Sequence, residues 1–387
     1  MTTKPCFLLT LLGGLWLGGA AQAQDLQLSY IFQPIERPPV LSNLDPVPDD
    51  EGQAGAHLGT SDNATTGKFL GQSHSLSLFK MARDGTLTPV SGPLSAPSDL
   101  VVMDAPAPAL LEYADQNQGA LIVNARAPDM ALRGSDCRAN VFHTRPSLAM
   151  RTDALAQFLL LRRWDQLALI QGQRAPDLAY GAALRASLTK FGLELSASKD
   201  WISDADLRRS AASEVPPFTQ SLGRYDALLV ADETGDFARY LPYNTWEPRP
   251  IMGSEGLVPT AWSRVVESWG GAQLQSRFEE LAGRDMRAVD YAAWAAVRAI
   301  GEAATRTKAS DPATLRAFML SDGFELAGFK GRKLSFRAWN GQLRQPIPLV
   351  TARAVVANAP LPGFLHQRTE LDTLGVDAPE SACRAFD

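Results

Sequence analysis

Cysteine is scarce: the 387-residue chain has three, Cys6, Cys137 and Cys383. None belongs to a CxxC pair, which leaves little basis for a zinc ribbon or a dithiol redox relay. The four histidines, His57, His74, His143 and His366, show neither HxH nor HExxH spacing, so zinc hydrolysis is not indicated. No Walker or GxGxxG loop stands in context, and Gly71-Gln72-Ser73-His74-Ser75 lacks the final glycine of a GxSxG nucleophile elbow. Basic stripes and aromatic-basic platforms are missing too, and 42 acidic against 37 basic residues give a net charge of −5, so nucleic acid is not an expected partner. These gaps point away from an enzyme and call for no cofactor and no metal.

One long apolar run is present, and it lies at the start. Lys4 opens a short positive region, FLLTLLGGLWLGG is the apolar core, and Ala21-Gln22-Ala23 is a small-x-small cleavage site. An exported protein cleaved after Ala23, residing in the periplasm, is therefore expected. Cys6 precedes the apolar core, where it cannot serve as a lipoprotein cysteine. Loss of Lys4 with residues 1–23 takes the net charge to about −6. Cys137 and Cys383 remain, and in an oxidising compartment an even pair favours a disulfide over two free thiols.

A chain of this length exceeds a single core, so two lobes are expected. LQLSYIF reads as the first strand, and a proline-rich stretch from Pro34 to about Pro48 reads as a loop over the mouth of the sheet. Asp49-Asp50-Glu51 precedes a helix running to about Leu70 and reads as capping and dipole compensation rather than metal binding. Strands follow near SHSLSLF, DLVVMD, ALIVNA, LALIQG and YDALLVADE, with helices between them. AVDYAAWAAVRAIGEAATR places Ala292, Ala296, Ile300 and Ala303 on a core-facing side, and Asp311-Pro312 starts another helix. Asn340-Gly341 marks a late hairpin. The alternation predicts an α/β chain with mainly parallel sheets.

The stretch CRANVFHTRPSLAMRTDALAQFLLLRRWDQLALIQGQRAPDLAYGAALRASLTKFGLEL, with DYAAWAAVRAIGEA later, resembles the type I periplasmic binding proteins of the leucine/isoleucine/valine-binding group. The resemblance implies two lobes, each a mainly parallel sheet flanked by helices, with three chain crossings. It places 25–143 and 262–350 in the N-terminal lobe, 144–261 in the C-terminal lobe, and 351–387 in a tail returning to the interlobe region. The ending HQRTELDTLGVDAPESACRAFD and the proline-rich opening are similar to a subgroup associated with PQQ-dependent alcohol catabolism. That association concerns gene company and not the ligand.

Ligands of parallel sheets sit beyond the carboxyl ends of strands. The candidate ligand residues are accordingly Asp104, Ala105, Asn124 and Arg126 in one lobe and Asp232, Glu233 and Glu255 in the other. Amino-acid binders of the family place Ser and Thr hydroxyls where this chain has Asn124-Ala125-Arg126-Ala127-Pro128, and their glycine-serine loop reads Asp104-Ala105-Pro106 here. Both hydroxyl positions are lost, so a branched-chain amino acid bound in the family's usual way is not expected. Arg126 either clamps a carboxylate or phosphate, or pairs with Asp104 or Asp129. Asp232 and Glu233 either receive an amine, hydroxyl or cation, or belong to a solvated loop. Tyr180 falls where the family often has a tyrosine near the cleft, or packs.

The resemblance implies a periplasmic solute-binding protein of an ABC transport system, a monomer that captures a small polar molecule. It would dock on a membrane permease with its paired ATPase and meet the membrane only through that permease. The alternative is a periplasmic sensor or accessory protein linked to a quinoprotein alcohol oxidation system.

Overall fold

The computed structural model describes residues 24–35, 46–202 and 207–386. The expected export signal and most of the proline-rich segment lie outside the described residues. Six strands build the first sheet, in the order β3-β2-β1-β4-β5-β6. They are β1 (Gln24–Phe32), β2 (Gln72–Met81), β3 (Leu87–Ser91), β4 (Leu100–Asp104), β5 (Leu121–Asn124) and β6 (Val141–His143). All neighbours run parallel except β3, which is antiparallel to β2. The second sheet holds β7 (Leu167–Gln171), β8 (Leu195–Asp200), β9 (Ala227–Ala231) and β10 (Ile251–Gly253), wholly parallel, in the order β10-β9-β7-β8. The central runs LVVMD, LALIQ and ALLVA are buried at every position, as strands covered on both faces must be.

Helices α1 (Gln53–Leu70), α6 (Gly271–Ala282), α7 (Ala288–Thr307) and α8 (Pro312–Met319) cover one face of the first sheet, and α2 (Ala107–Gln116) covers the other. In the second lobe α3 (Leu148–Arg162) and α4 (Ala175–Lys190) lie on one face and α5 (Leu207–Gln220) on the other. The expected core-facing Ala292, Ala296, Ile300 and Ala303 are all fully buried on α7. There α1 approaches so closely that a Cβ at Gly55 would overlap the Asp290 carbonyl. Asp311 caps α8, accepting from the Thr314 N–H at 2.9 Å.

The acids before α1 do something other than cap it. The N-cap is Gly52, with no side-chain cap bond, whereas Asp50 pairs with Arg284 and Glu51 with Arg126 and Arg287. Gly52 adopts φ 85°, and its N–H donates to Asp290 Oδ1 at 2.7 Å. A Cβ there would collide with the Tyr30 hydroxyl, so glycine is required by both conformation and space.

Before the tail, the chain crosses between lobes three times, at residues 144–147, near Thr260 and at 344–346, because Phe142, Ala261 and Leu343 belong to the first core and Leu148, Leu257 and Ile347 to the second. The third crossing comes earlier than the expected boundary at residue 350. Strands β15 (Ile347–Val350) and β16 (Val355–Ala359) form an antiparallel sheet with β11 (Val258–Pro259), and Ile347 and Leu349 are fully buried beside α3. A small hairpin sheet of β12 (Leu326–Ala327), β13 (Lys333–Phe336) and β14 (Leu343–Arg344) stays in the first lobe.

The tail touches both lobes. Cys383 is disulfide-bonded to Cys137 of the first lobe, and Asp372 pairs with Arg337 and Arg344 beside the hairpin. Leu361 and Leu374 meanwhile pack in the second core, and the Gly375 N–H donates to Asp153 of α3 at 2.7 Å. The tail is thus a strap across the interlobe region, held by one covalent link, buried ion pairs and apolar contact.

Candidate ligand-binding cleft

Parallel pairing of β1 with β4 sets Phe32 beside Asp104 and brings the ends of both strands to one edge. The Tyr30 hydroxyl donates to Asp104 Oδ2 at 2.6 Å. Burial, reinforced by the neighbouring Asp104 charge, keeps that phenol protonated. Arg126 lies just beyond β5 and grips Asp104 with two nitrogens, Nε to Oδ1 and Nη2 to Oδ2 at 3.0 Å. Its Nη2 also reaches Glu51 Oε2 at 3.5 Å, and Glu51 Oε1 lies 3.3 Å from Arg287 Nε. Arg126 is thus ion-paired with Asp104.

The second lobe presents a matching pair. Arg151, in the first turn of α3, donates from Nη1 and Nη2 to the two Glu233 oxygens at 2.6 and 3.0 Å. The Ser254 hydroxyl adds a bond to Glu233 at 2.9 Å, and the Arg151 guanidinium lies 4.7 Å from the centre of the Tyr180 ring. Burial would push the Glu233 carboxyl up, but the charge and donated bonds of Arg151 outweigh it and hold it below its ordinary value. Tyr180 is fully buried, its hydroxyl has no hydrogen-bond partner among the described residues, and burial pushes its ionisation upward.

Arg145 lies on the first crossing, its N–H donating to the Asn124 carbonyl at 3.4 Å. Charges from both lobes act on its guanidinium: Arg126 and Glu51 from one, Arg151 and Glu233 from the other. Burial, then the positive charges of Arg151 and Arg126, push it down to about 10, so it remains protonated near neutrality. Behind it, Lys330 is buried against neutral acceptors, Gln345 Oε1 at 2.5 Å and the Pro346 carbonyl at 3.2 Å.

Not every sequence candidate reaches this cluster. Ala105 is fully buried in the core under α2. Asn124 is also fully buried, with its amide spent on the Ala127 carbonyl and His143 and its oxygen on the N–H groups of Arg126 and Ala127. It shapes the turn that aims Arg126. Asp232 is buried and accepts from the N–H groups of Asp236, Phe237 and Ala238, which fixes the loop that carries Glu233. Glu255 turns back to the Gly256 N–H at 3.0 Å. Sequence reasoning missed Tyr30, Glu51, Arg145 and Arg151. For Arg145 a signal existed, an arginine and proline between a strand and a helix N-cap.

The chain matches no known family profile and no curated protein. Among solved structures it is similar to a branched-chain amino acid ABC transporter periplasmic ligand-binding protein from Burkholderia xenovorans, at 14% identity and TM-score 0.66, over 94% of this chain and all of that one. It is similar to an ABC transporter substrate-binding protein from Desulfitobacterium hafniense in complex with Leu, at 18% identity and TM-score 0.62, over 86% and 99%. A solute binding protein from Rhodopseudomonas palustris in complex with benzoate follows at 14% and 0.61, over 93% and 99%. The fold is that of the two-lobed periplasmic binding proteins. Among the described residues, no group of three His, Cys, Asp or Glu side chains could hold a metal, and no helix is long and apolar enough to cross a membrane.

Proposed function

We propose that this chain is the periplasmic solute-binding protein of an ABC transport system, capturing a small polar molecule between its lobes. One observation carries the reading: loops at the strand ends of both lobes each hold a charged pair, Arg126–Asp104 in the first and Arg151–Glu233 in the second. A ligand touching both sets of loops favours closure only through the contacts it gains in the closed state. Closed protein would dock on a permease and its ATPase, in keeping with export through the amino-terminal signal.

The finer likeness to proteins of PQQ-dependent alcohol catabolism rests on the tail and the proline-rich opening. It supports the second reading, an accessory or sensor role. A thermal-shift screen over classes of small metabolites separates the two. Saturable stabilisation by one class supports capture. No stabilisation, together with retention of a periplasmic partner, supports the accessory role.

A further inference from the structure

The backbone of Arg145 is well anchored, its carbonyl accepting from Arg133 at 2.9 Å and Gln342 at 3.2 Å. Its side chain is not: Nε and Nη1 are shielded from solvent and have no hydrogen-bond partner among the described residues. A guanidinium offers five donors and stays charged, so leaving it shielded and unpaired is costly unless something else supplies the acceptor. The neighbours do not. Glu51 is engaged by Arg126 and Arg287, and Glu233 by Arg151 and Ser254, while the Lys330 amine is a donor, bonded to Gln345 and the Pro346 carbonyl, and offers no acceptor. The Tyr180 hydroxyl, beside the Arg151–Glu233 pair, is a second buried group without a partner.

We propose that Arg145 receives the carboxylate of a small organic acid that carries no ammonium group, bound in the cleft between the lobes. A guanidinium edge matches a carboxylate with two parallel bonds. Glu51 and Glu233 stand close enough to influence Arg145, and their charge disfavours a doubly charged anion such as phosphate. The carboxylates of Glu51, Asp104, Asp232, Glu233 and Asp290 are each engaged by arginines or backbone N–H groups, so an α-ammonium group would meet no free acid among them. The receptor sits on a chain segment joining the lobes, so the bound carboxylate relieves the mutual repulsion of Arg126, Arg145 and Arg151.

This inference rests on the capture reading, and matched probes keep the two apart. Calorimetry and melting curves on the full chain at pH 7 and constant ionic strength compare lactate with alanine and propionate with propionamide. Lactate and propionate should raise Tm saturably, whereas alanine and propionamide should not. Arg145→Gln should weaken the acids roughly ten- to hundredfold, as loss of a charged hydrogen-bond donor does. Its unliganded Tm should equal or exceed that of the parent, since an uncompensated buried charge is removed. Arg145→Lys, which keeps charge without the fork, should bind the acids with intermediate affinity. Alanine or propionamide binding as well as the acids, or acid binding that survives Arg145→Gln, overturns the carboxylate receptor and leaves capture standing. Binding of none of the four probes overturns the carboxylate receptor, and capture itself then stands or falls on the wider metabolite screen.

Discussion

Arg151 and Glu233, 82 residues apart in sequence, meet through two parallel hydrogen bonds of 2.6 and 3.0 Å. The pair ties the first helix of the second lobe to the loop after β9 and turns a loop carboxylate into part of a rigid wall. Glu233 has a lowered carboxyl pKa in the folded protein, so its contribution to stability is complete above the ordinary glutamate range and is lost as pH falls through the folded value. Glu233→Ala should cost about 3 kcal/mol near neutrality by stranding Arg151. Urea unfolding should show the gap between parent and variant closing as the medium is acidified.

His143 also titrates so that acid destabilises the fold. Burial, followed by the nearby Arg133 charge, holds it well below its ordinary value, and its Nδ1 lies 3.0 Å from the Asn124 amide. The unfolded chain binds a proton that the folded chain refuses, so stability is lost as pH drops below about 6.5, with a slope of up to ~1.4 kcal/mol per pH unit. Urea titrations of His143→Gln should show that part of the slope removed.

Asp372 holds the tail against the first lobe through two arginines, and neither it nor Arg337 is more than 1% exposed. Removing one partner of a buried cluster leaves uncompensated charge, so Asp372→Ala should cost roughly 3–5 kcal/mol. Limited proteolysis should then cut the tail first.

The Cys137–Cys383 bridge closes a loop of sequence separation 246. Chain entropy sets about 5 kcal/mol as the upper stabilisation for so long a loop. Replacing both cysteines by serine should lower the urea midpoint with reducing agent absent, and parent protein in dithiothreitol should approach the variant.

Much of the fold was legible because buried parallel strands announce themselves. LVVMD, LALIQ and ALLVA are uninterrupted apolar runs, and Asp311-Pro312 is a local cap signal. The lobe assignment of IPLV was not legible, since a four-residue apolar strand reads the same whichever core receives it. The site was harder still. Asn124 and Asp232 sit at the ends of strands, where ligands are held, but turn inward to satisfy their own loops. Asp50 and Glu51 stand where caps stand, but they face arginines that the fold brings from more than 70 residues away. The Arg145 side chain stands out because its Nε and Nη1 find no partner among the described residues, a property that exists only once the other pairings are set.

The central claim is that both lobes hold one solute. Calorimetry on the parent, Arg126→Ala and Glu233→Ala, using the solute that raises Tm most in the screen, tests it most directly, with melting curves to confirm that each variant is folded. Affinity should fall in both variants, since closure draws on contacts from each lobe. Unchanged affinity in both would contradict the account.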